Sequence, residues 1–247
     1  MNTSSLQESR IEWVDTAKLI GIYLVILGHL PLKNIFATNF IFTFHMPLFF
    51  FLSGFVEKHR SVKETAIRST KNLLVPYICY YLVTYLWWFA VSFMRHPELF
   101  ERNVTDGFVK PMLGMLNACG FDTDYSFMAN VPLWFLVSLF WCRIMNALSN
   151  KNPKILKPIF IIICLIISIT LWKTNRFLPF SFGASCMAFP IYWLGSFLKD
   201  KKVLRNQTVL AKSIMLILGV CVTVLATILN GQINMNGIVY GRNPFLF

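Results

Sequence analysis

The sequence predicts a polytopic helical membrane bundle, on three observations. Of 247 residues, 56% are hydrophobic and 16% aromatic while only 14% are charged, an apolar share that soluble domains seldom reach. The apolar residues fall into separate runs of membrane-helix length. The charges, net +12, gather in short links between those runs, which is a signature of membrane orientation and argues against nucleic-acid binding.

In chain order, residues 1–13 are a polar lead, and no cleavable signal peptide is read in them. The first span is expected at 14–32, stopped by Pro31, and the second at 40–56. A strongly charged link, 57–72, follows. The third span, 73–94, is rich in Tyr and Trp, as suits a membrane interface. A long segment, 95–130, holds acids, glycines and an apolar stretch near 109–116 that reads as surface-lying. Further spans are read at 131–148, 155–172, 184–198 and 209–230, the 184–198 run being short and bent by Pro190. Seven spans result, in one membrane-embedded domain over 1–247.

Counting Lys and Arg in alternate links gives 16 on one side and 7 on the other, which together make the 23 of the composition. The basic side is expected to face the cytoplasm, with the N-terminus inside and the chain in a cell (inner) membrane. The six cysteines form no CxxC pair and read as small buried hydrophobes, so neither a disulfide framework nor a metal site is assigned.

Against this apolar background a few ionisable residues stand out, because each costs several kcal/mol inside a span and is a functional candidate by default. The first span carries Asp15, Lys18 and His29, and the second carries His45. Lys18 and His29 lie eleven residues apart, within roughly 20° of one helix face and about 16 Å along it. With the spans antiparallel, the two histidines fall at similar depth. Asp15 is about 21 Å from His29 along the helix, too far to orient it, so an orienting group from another helix is expected. The structural alternatives stay open. His29 could satisfy a hydrogen bond within a bundle, Asp15 and Lys18 could pair at the boundary, and His45 could cap a helix start.

The run from Arg10 to Phe55 reads RIEWVDTAKLIGIYLVILGHL, a link, then FIFTFHMPLFFFLSGF. It resembles the start of the acyltransferase family 3 membrane proteins, and within them is most similar to the fucose 4-O-acetylase-like branch. Asp15, Lys18, Gly28, His29, His45, Met46, Pro47, Ser53 and Gly54 fall on the matching positions, with Lys18 where many relatives have Arg. The resemblance implies an integral-membrane enzyme that moves an acyl group, usually acetyl from acetyl-CoA, onto a hydroxyl of a cell-surface or secreted carbohydrate.

On that reading His29 is the general base, a task suited to a group titrating near neutrality, and His45 is a second catalytic or acceptor-binding group. Lys18, beside Asp15, contacts a CoA phosphate at the cytoplasmic mouth. Arg68 and Lys71 are further donor-contact candidates, although Ser69 and Asn72 stand where basic residues are expected. Ser53-Gly54 reads as small-residue helix packing, and Trp134 as an interfacial tryptophan that also matches the family. Members continue for about three more spans, and Asn243–Phe247 reads as the start of an eighth, so the chain is expected to be shortened. Membrane lipid and a carbohydrate are the expected partners, with no nucleic acid and no metal. A transporter or flippase is one rival, though no internal repeats are seen. A non-catalytic membrane scaffold is the other.

Overall fold

A chain this apolar can satisfy its backbone within lipid only as helices or a closed barrel, and helices are what it forms. The computed structural model describes residues 11–31, 33–95, 109–118, 128–201, 207–231 and 233–243. The lead before residue 11, most of the 95–130 segment and the last four residues lie outside that set.

Helix α1 (Glu12–Gly28) and α2 (Ile35–Phe55) form an antiparallel pair. Val14 packs with Leu52 and Phe55 at one end, and Gly28 faces Ile41 at the other. Helix α2 begins five residues before its expected start at 40, because the Asn34 side chain caps it by accepting from the Ala37 N–H at 3.1 Å.

The charged link is itself helical, which corrects its reading as a connection. Ser61 accepts from the Glu64 N–H at 3.2 Å, and Glu64 sits three residues after it in capping-box spacing. Helix α3 (Val62–Ser69) continues through a wide π turn (Thr70–Leu74) into α4 (Val75–Arg95). Pro76 explains the widening: it has no N–H to offer and its ring would crowd the carbonyl four residues back.

The apolar stretch near 109–116 forms the short helix α5 (Lys110–Asn117). Two buried tyrosines of α4 hold it, Tyr77 donating to Met115 O at 2.7 Å and Tyr81 to Pro111 O at 2.6 Å. Helices α6 (Trp134–Ser149), α7 (Pro153–Thr174), α8 (Phe182–Asp200) and α9 (Val209–Asn230) follow. A hairpin closes the described chain, with β1 (Ile233–Asn234) antiparallel to β2 (Val239–Tyr240).

Among the described residues, five stretches are long and apolar enough to cross a membrane: Ile35–Phe55, Val62–Arg95, Asn130–Ser149, Pro153–Thr174 and Leu210–Asn230. The other two expected spans correspond to α1 and α8. Helix α1 has 17 residues, about 26 Å of helix against roughly 30 Å of hydrocarbon. Helix α8 is the central helix, with buried small residues such as Gly183, Ala184 and Ser185 that suit close packing more than contact with lipid.

The α2–α8 contact is the tightest in the bundle. A Cβ on Gly54 would lie 1.8 Å from the Tyr192 carbonyl oxygen, and one on Gly195 would lie 2.1 Å from the Phe51 carbonyl oxygen. The small-residue reading of Ser53-Gly54 therefore holds, since backbone meets backbone there. Around it Phe50, Cys142, Cys186, Phe189 and Tyr192 form the core. Helix α9 and much of α1 and α4 instead show apolar side chains outward, such as Leu216, Leu19 and Trp87, as lipid-facing helices do.

Candidate active site

The two ends of the bundle differ in chemistry. One end collects the start of α1, the ends of α2 and α8, the α6–α7 turn and the start of α9. Trp13 packs on Phe55 with centroids 5.0 Å apart, His59 bonds Asp200 at 3.1 Å, and Asn150 Nδ2 lies 3.4 Å from His59 Nδ1. The other end collects His29, His45, the start of α6 and the hairpin. This matches the alternation of links read from the sequence.

At the histidine end lies a cavity of about 210 Å³. Its lining is apolar on most sides, with Met46 and Phe49 from α2 and Trp134 and Phe135 from α6. Four polar residues are in its lining: His29 and His45 from the helices, Asn234 and Asn236 from the hairpin. Phe42 stands beside both imidazoles, with ring centroids 6.1 Å from His29 and 5.2 Å from His45.

Each imidazole is oriented by its own helix. His29 Nδ1 is 2.8 Å from Val25 O, and His45 Nδ1 is 2.6 Å from Ile41 O. A carbonyl only accepts, so in the neutral ring Nδ1 carries the proton and Nε2 keeps its lone pair. His29 caps α1, and Val25 O accepts from the His29 backbone N–H at 3.2 Å as well as meeting the ring. The expected orienting group from another helix is thus replaced by Val25. His45 lies three turns inside α2 and is fully buried, so the alternative of a capping histidine falls with the corrected helix start.

The hairpin was not foreseen. Residues 233–240 follow the last expected span, and Ile233 and Tyr240 are wholly buried. Ser168 of α7 donates to the Tyr240 hydroxyl at 2.8 Å, and Asn230 Nδ2 donates to Tyr240 O at 2.8 Å. Burial raises the Tyr240 pKa, against the opposing Ser168 hydrogen bond, so it stays a neutral hydroxyl. The missed signal is Asn236-Gly237 between apolar residues, which points to a turn, although the loop formed is 235–238 with its positive φ at Ile238 and not at Gly237. Trp134 is likewise buried against the cavity, which corrects the interfacial reading.

The basic end holds ion pairs. Glu57, after α2, lies 3.2 Å from Arg143 and 3.8 Å from Arg60, and Lys199 donates to its carbonyl at 2.6 Å. Arg68 pairs with Glu64 at 3.1 Å, and Lys71 lies exposed in the π turn. Lys18 and Asp15 are half-buried on α1. A broad basin of about 550 Å³ opens here, lined by residues including His59, Arg60, Lys157 and Asp200. Asp15, Lys18, Arg68 and Lys71 line neither this basin nor the histidine cavity, so the structure brings the two histidines together but does not gather the four donor candidates with them.

A family model described as an acyltransferase domain, that of acyltransferase family 3, matches residues 11–247. No curated protein and no solved structure matches the chain.

Proposed function

Since this chain belongs to the acyltransferase family 3 membrane proteins, we propose that it moves an acetyl group from acetyl-CoA to a carbohydrate hydroxyl in the histidine cavity. The observation that supports this reading most is the pair of imidazoles, each tethered through Nδ1 to its own helix, in one apolar cavity. His29 Nε2 takes the proton of the acceptor hydroxyl as its oxygen attacks the thioester carbonyl carbon. The C–O bond forms, the C–S bond breaks, and the CoA thiolate leaves and is protonated. His29 is accessible at the cavity where His45 is buried, so His29 is assigned the base and His45 a supporting position against the same substrates.

The cavity is smaller than the roughly 300–1,000 Å³ of sites that hold drug-sized ligands. It suits the reacting ends of two substrates and neither whole molecule. The charged end of CoA then belongs at the basic end, with Lys18, set beside Asp15, as its phosphate contact and Arg68 and Lys71 as further cations. With the basic end in the cytoplasm, the donor enters from inside and the acceptor from outside. A reporter fused after Lys151 is expected to read as cytoplasmic and one after Arg176 as external, and the reverse pattern overturns the orientation.

The chemistry is tested with purified protein in detergent, acetyl-CoA and an oligosaccharide acceptor, following thiol release and ester formation together. His29→Ala is expected to lose about 10²–10⁴-fold in transfer, the range for a lost general base, while still binding donor. Near-normal transfer by that variant removes His29 from the mechanism.

A further inference from the structure

We infer that the groove between α9 and the α1–α2 pair is a site for one anionic phospholipid, with its phosphate at Lys212 and an acyl chain laid along α9. The site lies at the basic end of the bundle and stands apart from the acyl-transfer reading.

Two adjoining hollows make the groove. One, of about 410 Å³, is lined by Trp13, Lys212, Met215 and Leu216. The other, of about 260 Å³, continues along α9 through Gly219 and Thr223 and faces Leu24 of α1 and Phe44 of α2. Met215 and Leu216 line both, so the two form one channel that begins at Lys212. Gly219 makes a notch in its wall, since a Cβ there would meet nothing within 4 Å. The Thr223 hydroxyl donates to Gly219 O at 2.8 Å, so its polarity is used within α9 and the channel stays apolar.

Length and charge select the occupant. From Lys212 to Thr223 is eleven residues, about 16 Å of helix. That is close to half of the roughly 30 Å of hydrocarbon, the depth that one acyl chain covers. Among the described residues of the lining, Lys212 is the only charged one, and Trp13 beside it is a residue type that settles at headgroup level. Lysine binds phosphate as a point charge, and its stem lies along apolar surface while the ammonium stays in water. A headgroup with a net negative charge fits that end better than a zwitterionic one, whose own cation opposes Lys212. A helix of a second copy fits less well. It would engage the exposed face of α9 as far as Leu229, whereas the channel runs from Lys212 to Thr223.

The test reconstitutes the full chain in phosphatidylcholine vesicles that carry rising fractions of dibrominated phosphatidylglycerol or dibrominated phosphatidylcholine. Bromine quenches tryptophan, and the Trp13 contribution is the difference between the wild type and Trp13→Phe. Half-quenching of that contribution is expected at about fivefold less phosphatidylglycerol than phosphatidylcholine, the scale of one basic residue at an anionic surface. The gap should narrow as salt is raised. Lys212→Gln is expected to bring the two lipids level, and Lys212→Arg to keep the preference. Gly219→Leu fills the notch without meeting protein atoms at Cβ, so it should weaken quenching by both lipids at an unchanged unfolding midpoint, and it carries the test if Lys212→Gln does not fold. Equal quenching by the two lipids in the wild type leaves only the ordinary lipid shell and overturns the inference. Full preference in folded Lys212→Gln overturns it as well. A Trp13 shielded from both lipids in a chain that sediments as a dimer gives the groove to a second copy and overturns it too.

Discussion

At the histidine end, four polar residues line a largely apolar cavity, and both imidazoles take their orientation from a carbonyl one turn earlier in the same helix. At the basic end, charges come in overlapping pairs. Glu57 meets Arg60 and Arg143, and Glu64 meets Arg60 and Arg68. The contrast separates two ways of using polar groups in a membrane protein. In the largely apolar cavity both imidazoles are held in one geometry, so losing one should remove a specific chemical step. At the basic end the charges overlap, so a loss at the exposed Glu64–Arg68 pair is shared with Arg60 and weakened by screening. Substitutions at the two ends should therefore differ in size as well as in kind.

The largest effect is expected at the cavity, where His29→Ala costs orders of magnitude in turnover with little change in donor binding.

An intermediate effect, on stability and not on chemistry, is expected between the two ends. Gly54→Val drives a side chain into the Tyr192 carbonyl oxygen, which a bare Cβ would already approach to 1.8 Å. Backbone cannot give way as a side chain can, so the loss should reach or exceed about 1–3 kcal/mol, the usual cost of overpacking. Thermal unfolding in detergent measures it, and an unchanged midpoint would mean that α2 and α8 do not meet as closely as described.

The smallest effect is expected at Lys18. Lys18→Ala should weaken acetyl-CoA binding by no more than about tenfold, the modest value of one partly solvated charge contact, and the loss should shrink as salt is raised. Lys18→Arg should retain most of the affinity, because a guanidinium also binds phosphate. A titration of acetyl-CoA at two ionic strengths decides the matter. Unaltered affinity in the alanine variant would return Lys18 to a boundary ion pair with Asp15.

The sequence was most legible where burial and lipid exposure make long apolar runs. Helix α9 lies at 209–230 as read, and α6, α7 and α8 fall within about three residues of their expected ends. The convergence of His29 and His45 was legible too, because antiparallel neighbours joined by a short link must place those positions at one end. Helix α3 was obscured by its charges: composition said link, and only Ser61 with Glu64 marked a helix start. The hairpin was obscured by its length, since two strands of two residues have no periodicity to read and only Asn236-Gly237 announced the turn. The tether from Val25 to His29 was invisible for another reason. It depends on the rotamer that the imidazole takes over its own helix, and packing in three dimensions fixes that.

The claim at the centre of this account is that His29 acts through Nε2 as a base in a cavity shaped to hold an imidazole. Chemical rescue tests it most directly: acetyl transfer by His29→Ala is measured at saturating acetyl-CoA, with and without added imidazole, beside the unfolding midpoint of the same variant. The account predicts a folded protein, a loss of about 10²–10⁴-fold, and partial recovery when imidazole is added, with no such gain in the wild type. Near-normal transfer without imidazole would contradict it.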